Sequence, residues 1–289
     1  MSNGGYPLAV STDDHSADET GYSPGVATLV TFHPHPDDEA IACGGTIARA
    51  VAEGHRVVLV VATKGENGEV AEGFLSPGES LAERREKEQE EACRILGIAR
   101  LEWLGYVDSG MMGTPENDAP ESFWSADVEA AASSLAAILE NENADILTHY
   151  DPAGTYGHPD HIQCHRVGLR AAELAGTPRL YESVVNRDQF KEDLSRLSEE
   201  ELLSLQEGGL DPDEMDELGV SASEITTAVD VRDYLGLKRS AMAAHASQIP
   251  DTSFFLTMSP ELFERSFGTE WFIRRTGAKK EETSLFEEI

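Results

Sequence analysis

The chain has 289 residues, 40% of them hydrophobic, enough apolar material for one large α/β domain or a domain with a small appendage. Its 54 acidic against 22 basic residues give a net charge of -32, which argues against nucleic acid and anionic membrane surfaces as partners because both would be repelled. Three scattered cysteines, Cys43, Cys93 and Cys164, imply no disulfide framework and point to a reducing, cytoplasmic compartment.

Residues 1–24 are rich in Ser, Gly, Asp and Thr without periodicity and read as a disordered tail. No basic start leads into an apolar core, so no signal peptide is expected, and no apolar run approaches about 18 residues, so no membrane span is expected. From residue 25 the pattern alternates. Strands are predicted over 27–32, 57–62, 100–104, 144–149 and 180–185, with helices over 43–53, 80–96, 127–140 and 159–174. Gly97 supplies a helix stop, and the glycines of 63–69 allow close backbone approach. The long loop over 105–123 has the length at which loops tend to be functional. This βαβα alternation predicts an α/β fold, a mostly parallel sheet with helices on both faces, occupying 25–186. A smaller C-terminal part over 187–276 combines an acidic, Leu-spaced stretch (187–224), read as helices forming a lid or insertion, with a strand at 225–231, a helix at 234–246, and an edge helix and strand over 263–275. Residues 277–289 read as a loose tail.

Two packets carry chemistry. The first, Thr31-Phe-His-Pro-His-Pro-Asp-Asp-Glu39, lies on a strand-to-helix turn, the carboxyl end of a strand where open α/β sheets bind ligands. The second, Asp151-Pro-Ala-Gly-Thr-Tyr-Gly-His-Pro-Asp-His161, also follows a strand and opens a helix, with Pro159 near its first turn. If the turns converge, His35, Asp38 and His161 form a two-imidazole, one-carboxylate set with open positions, the pattern of a catalytic metal. The spacing His161-x-x-x-His165 lacks the glutamate that helical zinc proteases need after the first histidine, since Ile162 stands there. Cys164 fits a core thiol, and His55 and His149 fit ordinary structural or surface roles. No phosphate-loop or dinucleotide glycine motif follows a strand.

The motif His35-Pro-Asp-Asp-Glu39 paired with His158-Pro-Asp-His161 resembles the PIG-L/LmbE-like zinc-dependent de-N-acetylases over residues 26 to 185. Gly105-Tyr-Val-Asp-Ser-Gly-Met111 and His245-Ala-Ser-Gln248 look like that family's mycothiol-pathway deacetylase and conjugate-amidase branch. The resemblance implies a Rossmann-like fold, Zn2+ (or Fe2+) on His35, Asp38 and His161, Asp37 as general base, and His158 as acid or oxyanion stabiliser. It also implies a mobile Tyr156 that polarises the carbonyl and a substrate-contacting Arg85. The glycine loop and the acidic segment match no one characterised member.

The chemistry agrees with that resemblance. Asp37 stands beside a ligand yet is distinct from it, His158 lies one turn from His161, and Asp160 is placed to orient an imidazole. Asp108 is positioned to accept sugar hydroxyls. His245, at a helix end, suits either capping of that helix or a return to the cleft to help read the aglycone. Glu39 suits helix capping or a catalytic duty. The expected function is metal-dependent hydrolysis of an N-acyl, above all N-acetyl, amide on a small aminosugar conjugate. An amidase of mycothiol-type conjugates or a non-catalytic carbohydrate-binding relic is the alternative; a relic would not need Asp37.

Overall fold

The computed structural model of the protein describes residues 25–198, 202, 218–277, 281–287 and 289. The tail expected over 1–24, and the part of the acidic segment at 199–201 and 203–217, lie outside the described residues. The strands are β1 (Thr28–His33), β2 (Arg56–Val61), β3 (Arg100–Trp103), β4 (Ile146–Tyr150), β5 (Arg179–Val184), β6 (Thr227–Asp230) and β7 (Thr269–Arg274). They form one sheet in the order β3-β2-β1-β4-β5-β7-β6. Strands β1 to β5 are parallel, and β7 runs antiparallel to both β5 and β6.

The helices are α1 (Asp38–Ala52), α2 (Leu81–Leu96), α3 (Val128–Asn141), the single turn α4 (Gly154–Gly157), α5 (Pro159–Ala175) and α6 (Arg187–Leu194). They continue with α7 (Leu235–Ala244), the single turn α8 (Phe254–Thr257) and α9 (Pro260–Phe267). The apolar run of β2 and the near-complete burial of β1 are those of parallel strands covered on both faces. Leu29 and Val57 pack with Ile47 of α1 and Leu96 of α2. On the opposite face Val30, Phe32 and Val60 pack with Leu135 and Leu139 of α3 and Val167 of α5. Ser80 and Glu83 close a capping box on α2, and Gly97 ends it at φ 76, a left-handed conformation glycine adopts without steric cost.

The sequence reading sends the last strand to an edge; β7 instead lies inside the sheet, and β6 is the edge. Phe272 is wholly buried, and it pairs with Ser183 on one side and Thr227 on the other. The last residues also dock. Leu285 is buried, and Glu282 accepts from Thr227 Oγ1 at 2.9 Å and Tyr181 Oη at 3.2 Å, so 281–287 are tied to the sheet.

Strand order reverses between β1 and β4, so the loops leaving their carboxyl ends part and open a crevice there. Helix α1 starts in that crevice at Asp38 and bends at Cys43, whose φ of -145° is not helical. The bend leaves the amides of Gly45 and Thr46 without helical partners, and Glu270 of β7 accepts both, at 2.9 and 2.7 Å. Lys238 of α7 is fully buried. Its Nζ donates to Glu270 at 2.6 Å and to the Ile41 carbonyl at 2.7 Å. Gly45 is required at this crossing, because a Cβ there would lie 2.6 Å from Val231. The C-terminal part thus completes the helix that carries the first packet.

Candidate active site

Between β1 and α1 the chain turns through Pro34-His35-Pro36-Asp37. Asp37 sits at φ 105°, ψ -30°, a conformation that costs energy for any residue but glycine. Three hydrogen bonds hold it there. Its amide donates to Glu39 Oε2 at 3.1 Å, and the Ala40 and Ile41 amides donate to its carbonyl. Glu39 is fully buried, and its other oxygen lies 2.9 Å from His245 Nε2. The Asp37 carboxylate thereby faces the crevice beside Asp38. Burial pushes Asp37 up to about 6, with the Arg85 guanidinium 3.3 Å away pulling the other way.

The two packets meet. Asp38 Oδ2 lies 3.3 Å from His35 Nδ1, and Asp38 Oδ1 lies 3.4 Å from His161 Nε2. A four-coordinate ion with bonds of about 2.0–2.2 Å separates neighbouring donors by roughly 3.3–3.6 Å, so these spacings fit one divalent metal. Charge state fits for two of the three; burial lowers His35, but its hydrogen bonds to Asp108, Asp160 and Asp38 outweigh that and raise it, so an ion bound there would displace a proton. Burial drives His161 down to about 3, the neutral form that ligates. Burial opposes ionisation of Asp38, but the His161 and His35 imidazoles outweigh it and hold the group below the usual carboxylate range.

Asp160 fixes His35 from behind. Its Oδ2 is 3.1 Å from His35 Nε2, and the carboxylate also accepts from the Ser109 amide and hydroxyl. A hydrogen on Nε2 donated to Asp160 leaves the Nδ1 lone pair facing Asp38 and the ion site, the usual way a carboxylate orients a ligand imidazole. Backbone geometry likewise sets His158. It is the N-cap of α5 and its Nδ1 accepts the Asp160 amide at 3.1 Å. The hydrogen of a neutral ring must then sit on Nε2, which becomes a donor. Tyr156 follows Thr155, which has φ 64°; it is 54% exposed at the mouth, and its hydroxyl is 3.2 Å from His161 Nε2.

The remaining expected residues sit one layer deeper. Arg85 is 4% exposed and donates to the Pro36 carbonyl at 2.5 Å and the Gly65 carbonyl at 3.0 Å. A Cβ at Gly65 would come within 2.1 Å of the guanidinium, so the glycine loop closes around this arginine. Asp108 accepts from the Gly110 and Asn67 amides at 2.8 and 3.2 Å and lies 3.6 Å from His35. His245 is wholly buried under Glu39, while Gln248 reaches Arg85 Nη1 at 3.4 Å. His33 is buried and is not among the residues that line the crevice, its ring held by Thr31 Oγ1 at 2.6 Å and Tyr150 Oη at 2.7 Å. Tyr150 went unremarked in the sequence reading, although its place as the last residue of β4 is the available signal.

Among the described residues, two other groups gather three ligand-type atoms. His35, Asp108 and His158 share this crevice. His149, His165 and Glu182 lie outside it, and there Arg275 is already paired with Glu182.

Comparison with known proteins agrees with the geometry. Residues 30–172 match the family model described as PIG-L, GlcNAc-PI de-N-acetylase. A protein of Acidothermus cellulolyticus named 1D-myo-inositol 2-acetamido-2-deoxy-alpha-D-glucopyranoside deacetylase is 38% identical, covering 87% of this chain and 90% of its own. Among solved structures, the N,N'-diacetylchitobiose deacetylase of Pyrococcus horikoshii superposes with a TM-score of 0.53 at 27% identity, covering 86% of this chain and 83% of that one. GalB, a 4-carboxy-2-hydroxymuconate hydratase of Pseudomonas putida KT2440, superposes equally well at 0.53 with 16% identity, covering 90% of this chain and 100% of that one. The fold therefore serves more than one reaction, and the side chains in the crevice have to decide.

Proposed function

The chain belongs to the PIG-L family of de-N-acetylases, and from that premise we propose how its crevice hydrolyses the N-acetyl amide of a glucosaminyl conjugate. It is a deacetylase, a hydrolase of linear amides. Inositol-linked N-acetylglucosamine, the substrate in the name of its Acidothermus relative, is the reference substrate of this reading. The observation that carries it is Asp37: a carboxylate pinned in a costly backbone conformation next to, but outside, the His35–Asp38–His161 set.

We assign His35, Asp38 and His161 as the residues that would hold the ion, Zn2+ by their donor types, with Fe2+ as the alternative. When bound, such an ion polarises the amide carbonyl and makes a water acidic enough to react near neutrality. Asp37 takes a proton from the attacking water as its oxygen bonds to the carbonyl carbon. A basicity near 6 suits that task, and a nearby cation shifts it toward the ionised form. The Nε2–H of His158 and the Tyr156 hydroxyl donate to the carbonyl oxygen as it gains charge. The carbon–nitrogen bond breaks, and the proton held by Asp37 passes to the leaving nitrogen, giving acetate and a free amine. Asp108, beside His35, is the acceptor for a sugar hydroxyl in this reading, while Arg85 acts through the Pro36 carbonyl and Asp37. The same reading places the enzyme in the cytoplasm, in keeping with three free, buried thiols.

The test is product analysis with N-acetylglucosaminides, comparing wild type with Asp37→Asn at equal metal content. We expect free amine and acetate from wild type and a loss of about a hundred- to ten-thousand-fold in kcat for the variant. A metal-loaded Asp37→Asn protein with normal turnover would remove Asp37 from the base role.

A further inference from the structure

Outside the crevice, on the sheet face covered by α5, three further side chains meet. His149 of β4 and Glu182 of β5 are register partners, so both point to the same face. His165 of α5 stacks on His149, with ring centroids 5.5 Å apart and planes at 20°. One ligand-type atom from each of the three lies within 4.8 Å of the other two. Most of the set forms an ion-pair network. Glu182 Oε2 accepts from Arg275 Nη2, Glu182 Oε1 lies 3.5 Å from His165 Nδ1, and that nitrogen is 3.0 Å from the Tyr150 carbonyl. His149 stands apart. It is 1% exposed, and among the described residues neither of its ring nitrogens has a hydrogen-bond partner. The backbone of Cys164 and His165 approaches the ring without completing a bond. Gly168 of α5 leaves the room for it, since a Cβ there would come within 2.9 Å of His149 Cβ and Cγ. A buried imidazole with both nitrogens unsatisfied costs free energy that a phenylalanine in the same space would not.

We propose that His149, His165 and Glu182 bind one divalent cation of the zinc class, separate from the ion assigned to His35, Asp38 and His161. Two imidazoles and a carboxylate are a donor set that suits such ions. A hydrogen on the His165 nitrogen that faces the Tyr150 carbonyl leaves the other nitrogen with the lone pair that ligates. Bonds of about 2.0–2.2 Å draw three donors to roughly 3.3–3.6 Å of one another. His165 and Arg275 are the partly exposed members, at 16% and 36% of their side chains, so His165 has room to turn inward and the ion's way in lies between them. The bound ion gives His149 a partner and joins α5 to β4 and β5, one turn after His161 on the same helix. No step of hydrolysis runs through it, so the site stands independently of the de-N-acetylase reading.

The full-length protein, stripped by chelation and dialysed against Co2+ with excess Mg2+ to occupy surface carboxylates, tests this by the number of Co2+ ions retained per chain. Wild type should hold two. Asp38→Ala should hold one, and so should His149→Phe and His165→Gln. The double variant Asp38→Ala, His165→Gln should hold none. The phenylalanine fills the space beside Gly168 without needing a hydrogen bond, and His165 is partly exposed, so at least one of the two histidine variants keeps the fold. Stability gives a second readout. Rising Zn2+ should raise the thermal midpoint of Asp38→Ala, because a ligand that binds only the folded chain stabilises it, and should leave the double variant unmoved. A wild type that holds a single ion, lost in Asp38→Ala and kept in both histidine variants, overturns the proposal and leaves the crevice site standing. A second ion kept by both histidine variants also overturns it. An ion lost in the histidine variants but kept by Asp38→Ala supports this site, even if the crevice assignment fails.

Discussion

Asp37 is the residue on which most of the buried network converges. Glu39 holds its amide, Arg85 holds the preceding carbonyl and faces its carboxylate, and His245 holds Glu39. Arg85 and His245 are expected from sequence to meet substrate; we read them as positioning residues, since 4% and 0% of their surfaces are exposed. Glu39→Gln and His245→Ala should then lower kcat by about ten- to a hundredfold, the scale of a misplacement near 1 Å, with KM and metal content held. Raised KM at normal kcat would return His245 to the substrate side. The motif residues were legible because imidazoles and carboxylates at two strand ends have few purely structural uses. The Glu39–His245 pair was not, because its partners stand 206 positions apart and nothing local marks a histidine that looks inward.

Among the elements, helix α1 shows the limit of periodicity. The sequence reading begins the helix at residue 43, where the structure places the bend of a helix already begun at Asp38. Local pattern cannot reveal that Glu270, more than 220 positions later, receives the two freed amides. The β1 to β5 alternation was legible for the opposite reason: the central strands β1, β2, β4 and β5 are almost wholly buried and rich in apolar residues, so each stands out locally. Glu270→Ala strands the buried Lys238 and two amides, so denaturant unfolding should show a loss of about 3 kcal/mol or more. Lys238→Met in that background should recover part of it; additive losses would refute the coupling. A second contact sets pH behaviour. His149 of β4 lies under Gly168 of α5, where any Cβ would come within 2.9 Å of it. Burial holds it down to about 3, with His165 and Arg275 adding to the effect. A depressed imidazole stays neutral in the folded protein while the unfolded chain takes up a proton, so stability drops as pH falls below about 6.5 toward 3. The slope is about 1.4 kcal/mol per pH unit for this one group. His149→Phe should flatten that slope between pH 6 and 4 in denaturant titrations; an unchanged slope would assign it to other groups.

For the molecule as a whole, the charge of -32 acts against compaction, since like charges are held closer in the folded state. Added salt shortens the reach of that repulsion to about 3 Å at 1 M. The thermal midpoint should accordingly rise between 0.05 and 1 M KCl, measured by calorimetry on metal-loaded protein; a falling midpoint would mean that surface ion pairs outweigh the repulsion. The docking of β7 and α7 onto α1 has a temporal meaning too. A ribosome releases the chain from its amino end, and everything in the two chemical packets has emerged by residue 161. Yet the bend of α1 cannot be closed until Glu270 arrives. Contacts of such sequence separation form late and slowly. A nascent chain halted at residue 186 would therefore carry all three metal ligands proposed for the crevice and still lack both Glu270 at the α1 bend and His245 on Glu39 behind Asp37. On the proposed role of Asp37, hydrolytic competence would then be acquired only once residues 245 and 270 have been made.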